Sequence, residues 1–138
     1  MLHHTRAHLY RAILESVCYG FAHHLELLRE AGRPVRRVVA ADGGSRSALW
    51  MQIAANVVDL PVQVVAGEAA SALGAAYVAA MGAGMFTDWS NITRFISQGP
   101  VYYPQSAVVP RYRKGYALYR ELYTRLQSYL PELGKLDS

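Results

Sequence analysis

Cysteine is almost missing from this sequence. Cys18 is the only one among 138 residues, which excludes an intramolecular disulfide and every metal site built from a cluster of cysteines. The residues around it are largely apolar, so the pattern predicts a packed and unreactive thiol. A lone cysteine of this kind also fits a reducing compartment, and we expect a cytoplasmic protein.

Two nucleotide-binding fingerprints and a concentrated basic patch are missing as well. The sequence contains neither GxGxxG nor GxxxxGK[ST], so it matches neither the Rossmann nor the P-loop pattern. The formal net charge is +4, but the excess of Lys and Arg lies at the two ends of the chain. Proteins that bind nucleic acid usually cluster positive charge on one face, so we do not expect a nucleic-acid partner.

Charged side chains are absent from residues 69–87, a stretch long enough to suggest a membrane span. It consists mostly of Ala and Gly with few large apolar side chains, which favours a tightly buried helix and no membrane partner. Small residues recur on successive turns of that helix and would permit close approach to its neighbours: Ser71, Gly74, Ala75 and Ala79.

Apolar periodicity predicts alternating helices and strands. Over residues 9–28, helical spacing places a stripe of apolar side chains on one face of a long helix: Leu9, Ile13, Val17, Phe21, Leu25 and Leu28. Apolar runs at residues 35–41 and 62–66 predict strands buried on both faces. Between them a helix begins near residue 47, with Ser45 or Ser47 as its N-cap, and the alanine-rich helix follows. This order is typical of an α/β protein with short parallel strands flanked by helices.

The rest of the chain is predicted to contain a short helix at residues 88–96, a wrapping loop at 98–109 and a final helix at 111–130. On the final helix one stripe follows helical spacing: Tyr112, Tyr116, Tyr119, Tyr123, Leu126 and Leu130. Tyrosines among basic residues suit stacking on single-stranded nucleic acid. The basic residues fall off this stripe, however, which favours a core-facing role for the tyrosines.

The most informative segment is VVAADGGSRSAL, residues 38–49. A buried strand there leads into a double glycine and then directly into the N-terminus of a helix. Glycine lets the backbone approach a ligand closely, and the free N–H groups of a first helical turn attract an anion. Two interpretations stay open from the residues alone, namely a phosphate site and a tight turn without a ligand.

The run DGGSRSALWMQIAANVVDLPVQVVAGEAASALGAA is similar to the C-terminal signature of the FGGY carbohydrate kinases. In that signature a glycine-rich turn opens a helix carrying Trp or Met, Leu-Pro precedes a strand, and an Ala-Ser-Ala-Leu-Gly-Ala-Ala helix follows. Residues 5–15 and the tyrosine-rich last helix also resemble the family. The resemblance implies that residues 1–138 are the C-terminal nucleotide-binding portion of an ATP-dependent sugar kinase.

The fold implied by this resemblance is part of an actin/hexokinase-like (ribonuclease H-like) ATPase domain. ATP would bind mainly to this half, and a sugar or polyol would bind to a separate N-terminal domain. Carried over onto this sequence, the ATP-binding residues are Gly43, Gly44, Ser45, Arg46, Ser47 and Ala48. Some family members have Asn where this chain has Ala48, and Ala cannot reproduce its hydrogen bond. Many have Gly in place of Asp42, which is interpreted as a turn residue in preference to a ligand of nucleotide-bound Mg²⁺.

Catalytic residues and a protein metal site are not expected in this chain. Phosphoryl transfer needs Mg²⁺ held by carboxylates and usually a carboxylate base, and the family supplies these from segments that precede the matched region. The isolated chain is therefore expected to be inactive. Because two apolar strands leave a sheet incomplete, it is also expected to form homo-oligomers. The alternative is a non-catalytic nucleotide-binding or interaction module.

Overall fold

The computed structural model describes residues 3–66 and 70–135. The predicted junction between the second strand and the alanine-rich helix, residues 67–69, lies outside the described residues. The elements in chain order are α1 (Arg6–Glu30), β1 (Val38–Ala40), a 3₁₀ helix (Gly43–Arg46), α2 (Ala48–Val58), β2 (Val62–Ala66), α3 (Ala70–Gly82), a second 3₁₀ helix (Trp89–Phe95), β3 (Ser97–Tyr102), α4 (Val109–Leu126) and α5 (Leu130–Gly134). The predicted α/β class is confirmed.

The described strands form a mixed sheet in the order β1-β2-β3. β1 and β2 are parallel, with Val38 opposite Val62, which confirms the predicted parallel pair. β1 begins later than the predicted residue 35 because the ladder with β2 starts at the pair Val38 and Val62. The residue before Val62 is Pro61, which has no N–H to donate; its carbonyl accepts from Val38 N at 3.1 Å.

The strand β3, Ser97–Tyr102, was not predicted. The prediction of a wrapping loop at residues 98–109 is therefore wrong where it overlaps this strand. β3 runs antiparallel to β2, with Tyr102 opposite Val62. Gly99 and Pro100 hid the strand in the sequence. Both suit an edge strand, since a Cβ on Gly99 would lie only 3.1 Å from the carbonyl oxygen of Val64 and an edge tolerates the missing N–H of proline.

Helix α2 forms the centre of the core. It has two buried faces, and each face packs against a different part of the structure. One face packs on the sheet through Met51 and Ala55 against Val62 and Val64. The other face packs on α1 and α4 in a cluster made of Leu14, Cys18, Ile53, Val57 and Tyr112. The site described below is attached to the N-terminus of this central helix.

The predicted packed thiol is confirmed. Cys18 lies in the cluster between α1, α2 and α4, and burial raises the pKa of its thiol to about 11. The thiolate, which is the reactive form, is therefore scarce at neutral pH.

The apolar stripe of α1 does not face the core of this chain. Leu9, Ile13 and Phe21 are 66%, 62% and 59% exposed. The buried side chains of the helix are Leu14 and Cys18, which lie beside the stripe and contact α2 and α4. Periodicity thus identified an amphipathic helix, but the partner of its most apolar face is not among the described residues.

The tight burial predicted for the alanine-rich helix is wrong. Among the described side chains of α3, Tyr77 alone is buried, and a Cβ on Gly74 would meet nothing within 4 Å. Tyr77 packs on the rings of Phe86, Trp89 and Phe95, so the helix contacts the segment that follows it. No helix in residues 3–66 and 70–135 combines the length and the apolar character that crossing a membrane requires.

The tyrosine stripe of α4 faces the core only in its first half. Tyr112 is 5% exposed and joins the helical cluster, and Tyr116 and Tyr119 are half-buried. Tyr123 is 47% exposed, and the helix ends at Leu126. The core-facing interpretation is therefore confirmed for the N-terminal part of the stripe.

Replacing Tyr112 with Ala should destabilise the chain by about 3–5 kcal/mol, because the change removes a large buried ring from the helical cluster. Tyr123→Ala, on the same helix but exposed, should cost less than about 1 kcal/mol. Urea unfolding followed by circular dichroism measures both. Equal losses in the two variants would show that the stripe is not held by core packing.

A polar network joins α4 to α1 above this cluster. The hydroxyl of Tyr116 donates to Glu26 Oε2 at 2.5 Å, and Arg120 forms an ion pair with the same carboxylate. The Tyr116 hydrogen bond is the main cause that lowers the pKa of Glu26, and the charge of Arg120 adds to it. A carboxylate whose pKa is lowered on folding contributes stability above its unfolded pKa, and this contribution is lost as the pH falls through the folded pKa.

Tyr116→Phe should therefore lower the free energy of unfolding at pH 7 by at most about 1 kcal/mol. The deficit relative to the unchanged chain should shrink as the pH falls through the lowered pKa of Glu26, because the protonated carboxyl no longer gains from the Tyr116 hydrogen bond. Urea titrations at pH 7 and pH 3 test this, with the exposed Tyr129→Phe as the control. A deficit that is constant with pH would rule out Glu26 as the partner that matters.

Candidate functional site

The glycine turn, residues 42–47, follows the carboxyl end of β1 and leads into α2. Its centre is the 3₁₀ helix Gly43–Arg46. Ser47 ends the turn and caps α2, since its Oγ accepts a hydrogen bond from Trp50 N at 3.3 Å. Of the two N-cap candidates in the sequence, the structure selects Ser47. Ligands of open α/β sheets bind at the carboxyl ends of the strands, so the turn occupies the expected place for a site.

Asp42 starts the turn in a conformation that side chains rarely adopt. Its φ is 64° and its ψ is −160°, a region almost confined to glycine, where another residue costs about 1–3 kcal/mol. Its carbonyl accepts hydrogen bonds from Ser45 N at 3.1 Å and from Ser45 Oγ at 2.7 Å. Its Oδ2 accepts from Ser71 Oγ at 2.6 Å. Asp42 thus forms the turn, as predicted, and its neighbours hold it in a strained conformation.

The two glycines of the turn have different surroundings. A Cβ on Gly44 would lie 2.8 Å from the ring of Trp50, so packing alone requires glycine there. A Cβ on Gly43 would meet nothing within 4 Å, and its φ is not in the left-handed region. Within the described part of the chain, the amides of both residues lack a hydrogen-bond acceptor.

The other predicted site residues divide into two kinds. The hydroxyls of Ser45 and Ser47 are used inside the turn, the first as a donor to Asp42 O and the second as the cap of α2. Arg46 and Ala48 are exposed. The structure therefore brings Gly43, Arg46 and Ala48 to the surface of one turn, while the two serines fix its shape.

Ser71 also belongs to this site. From the sequence it was predicted only to be a small packing residue, and its polar contact was not predicted. It lies in the first turn of α3, the helix that follows β2, and its hydroxyl reaches Asp42. The carboxyl ends of adjacent parallel strands meet at one edge of a sheet. A hydroxyl at the start of the helix after β2 was the signal that could have placed it beside the turn.

An apolar cavity of about 350 Å³ adjoins the glycine turn and extends along β1. Gly44 and Ser45 line one end of it, and Cys18 and Phe21 of α1 line another part. The described residues that line this cavity carry no charge, so it suits apolar side chains and not phosphate. A second cavity, of about 500 Å³, includes Pro34 and Leu60 and lies at the opposite ends of the strands.

The glycine turn has two features in common with backbone anion sites. The amides of Gly43 and Gly44 are available as donors, and the space beside Gly43 is open, which are the properties of backbone anion sites. Among the described residues, no three His, Cys, Asp or Glu side chains lie close enough together to hold a metal ion.

Comparison with known proteins gives the family. Residues 2–83 match the model of the C-terminal domain of the FGGY family of carbohydrate kinases. The chain is 34% identical over 122 residues to the xylulose kinase of Bacillus subtilis (strain 168), an alignment that covers 88% of this chain and 24% of that protein. It is 36% identical over 116 residues to the ribulokinase of Mycolicibacterium smegmatis, covering 83% of this chain and 21% of that one.

The fold is similar to that of solved kinases. The crystal structure of xylulose kinase from Rhodospirillum rubrum matches with a TM-score of 0.80 and 40% identity, covering 94% of this chain and 26% of that chain. The chain thus spans about a quarter of the length of the proteins it matches. Because the family model covers more than half of the residues, and the glycine turn lies inside the matched region, the chain belongs to the FGGY family of carbohydrate kinases.

Proposed function

We propose that this chain is the ATP-binding, C-terminal part of a kinase that transfers the γ-phosphate of ATP to a hydroxyl of a sugar or polyol. The glycine turn carries the proposal, because it lies within the family match and offers backbone donors beside open space. The proteins it resembles include xylulose kinases and a ribulokinase, which supports a xylulose-like acceptor, and a gluconate-like acceptor stays a prediction. The relatives named above are all kinases, so the non-catalytic alternative has no observation in its favour.

In the proposed site the amides of Gly43 and Gly44 donate to phosphate oxygens of ATP. Arg46 and Ala48 lie at the surface beside the nucleotide, and Ser45 and Ser47 keep the turn in shape. Mg²⁺ is proposed to arrive as the ATP complex. This division assigns binding to the backbone, which suits a ligand with many acceptor oxygens and no need for sequence-specific side chains.

The remaining parts of the reaction are assigned to other segments of the kinase. We propose that the sugar, the carboxylate ligands of Mg²⁺ and the base belong to the portion that this chain does not span, and that β1 and β2 are part of a larger ribonuclease H-like sheet. The isolated chain is accordingly proposed to be inactive. A cytoplasmic location is proposed on the buried single thiol of Cys18 and on the metabolic role of the relatives.

Gly43→Val is the sharpest test of the proposed site, because a side chain there meets no protein atom within 4 Å but would fill the space beside the free amides. In a full-length kinase carrying this chain, the KM for ATP should rise about tenfold or more, as expected for losing a hydrogen bond to a charged group. The KM for sugar and the melting temperature should change little. Steady-state kinetics with each substrate varied measure this.

Gly134→Val is the matched control, since its Cβ would also meet nothing within 4 Å and it lies in α5, away from the turn. Gly44→Val is less informative because it would displace Trp50. An unchanged KM for ATP in Gly43→Val would place the nucleotide elsewhere.

We also propose that the isolated chain self-associates through the free edge of β1. Val39, in the middle of this strand, is 52% exposed, and among the residues that the structure describes β1 pairs with β2 alone. The apolar cavity beside β1 and the exposed stripe of α1 adjoin this edge through Phe21. Unpaired backbone groups next to apolar surface are a template for pairing with another chain.

Sedimentation velocity at micromolar concentration should therefore show dimers or larger species of the isolated chain. Val39→Lys should shift the population toward monomer, because a charge on an edge strand opposes pairing. Val78→Lys, at an exposed position of α3, should leave the distribution unchanged. A monomeric unchanged chain, or equal effects of the two lysines, would contradict association through β1.

A further inference from the structure

The link between the glycine turn and α3 is a hydrogen bond between two side chains 29 residues apart, from Ser71 Oγ to Asp42 Oδ2 at 2.6 Å. Asp42 is the residue with φ 64° and ψ −160° that opens the turn. The bond therefore connects the most strained residue of the site to the first turn of the next helix.

The rest of α3 is held from a different side. Its buried ring, Tyr77, packs on aromatic residues of the following segment, and its hydroxyl donates to Asp88 O at 2.6 Å. Those contacts fix the middle and the end of α3 but do not reach the turn. At its beginning, the contact of α3 with the turn in the described residues passes through Ser71.

The carboxylate of Asp42 is unexpected beside donors for a phosphate group. A negative charge there repels an anionic ligand, and glycine would adopt the same backbone conformation without strain. The observed use of the side chain is as the acceptor for Ser71. The hydrogen bond to Ser71 therefore explains why Asp is present at position 42, where it strains the backbone and repels an anionic ligand.

We infer that the Asp42–Ser71 hydrogen bond is a positioning contact, which holds Asp42 in its positive-φ conformation and thereby keeps the amides of Gly43 and Gly44 in place for the nucleotide. The inference rests on the proposed nucleotide site. It assigns Asp42 and Ser71 a role in nucleotide affinity and leaves the transfer step to other residues. It also makes the orientation of α3 and the shape of the turn depend on each other.

The test is the affinity for MgADP, measured by titration calorimetry on a full-length kinase carrying this chain. Ser71→Ala should raise the Kd roughly five- to tenfold, the change expected when a hydrogen bond to a charged group is lost. Ser71→Thr, which keeps the hydroxyl, should restore affinity to within about twofold. Asp42→Asn keeps an acceptor oxygen and nearly the same shape but removes the negative charge that repels an anionic ligand, so it should bind at least as tightly as the unchanged protein.

Ser90→Ala is the matched control, because Ser90 Oγ donates to Asp88 Oδ2 at 2.5 Å in the same kind of exposed Ser–Asp pair outside the turn. It should leave the Kd unchanged. A second measurement needs no nucleotide: amide exchange at Ser45, whose N–H reports on the carbonyl of Asp42, should be faster in Ser71→Ala than in the unchanged protein.

Several results would overturn the inference. If Ser71→Ala binds MgADP as the unchanged protein does, or only melts at a lower temperature with the same Kd, the contact is structural. If Asp42→Asn loses as much affinity as Ser71→Ala, the charge and not the hydrogen bond matters. If the unchanged protein itself does not bind MgADP, the proposed function fails together with this inference, whereas normal binding with an unaffected Ser71→Ala removes the inference alone.

Discussion

Trp50 is the side chain on which the arrangement of the site depends. Its indole Nε1 donates to the carbonyl of Leu14 at 3.2 Å, which ties α2 to α1, and its ring packs against both apolar clusters. The same ring fills the space where Gly44 would otherwise carry a Cβ. The glycine turn therefore takes its shape from the core, and it is not a flexible loop added to the end of a strand. A backbone anion site needs this rigidity, because its donors have to be in place before the ligand arrives.

The parts of this fold that could be predicted from the sequence are those fixed by local signals. β2 was predicted with its observed bounds because an apolar run lies directly after Pro61, and Ser47 was one of two cap candidates for α2. The errors concern contacts between distant segments. β3 contains Gly99 and Pro100, which indicate a loop until β2 is known to lie against Gly99. The prediction that α3 is tightly buried was wrong. Small residues allow a helix to pack closely, but they do not show that another element lies against it.

The two interpretations of the double glycine depend on different residues, and the ligand interpretation stays a prediction. Packing against Trp50 explains Gly44 and would be needed in a turn without any ligand. No contact in the described chain explains Gly43, so the ligand interpretation depends on that residue and on the two free amides. The contact of Ser71 with Asp42 spans 29 residues, so no local pattern shows it. It could be inferred only by combining the predicted parallel pairing of β1 and β2 with the position of Ser71 at the start of the next helix. The pairing of β1 with β2 is therefore needed to bring Asp42 and Ser71 together.

The exposed apolar surface and the site are physically connected. The cavity beside β1 is lined at one end by Gly44 and Ser45 and elsewhere by Val39 and Phe21, so a strand that pairs with the open edge of β1 is expected to lie next to this cavity and close to the turn. Covering that surface removes water from one side of the turn, and hydrogen bonds to an anion strengthen as the local dielectric falls. Under the proposed function, completion of the sheet and strengthening of the hydrogen bonds from the turn to phosphate are thus expected to occur together. Under the proposed function, a strand that pairs with β1 is therefore expected to affect the nucleotide affinity of the glycine turn.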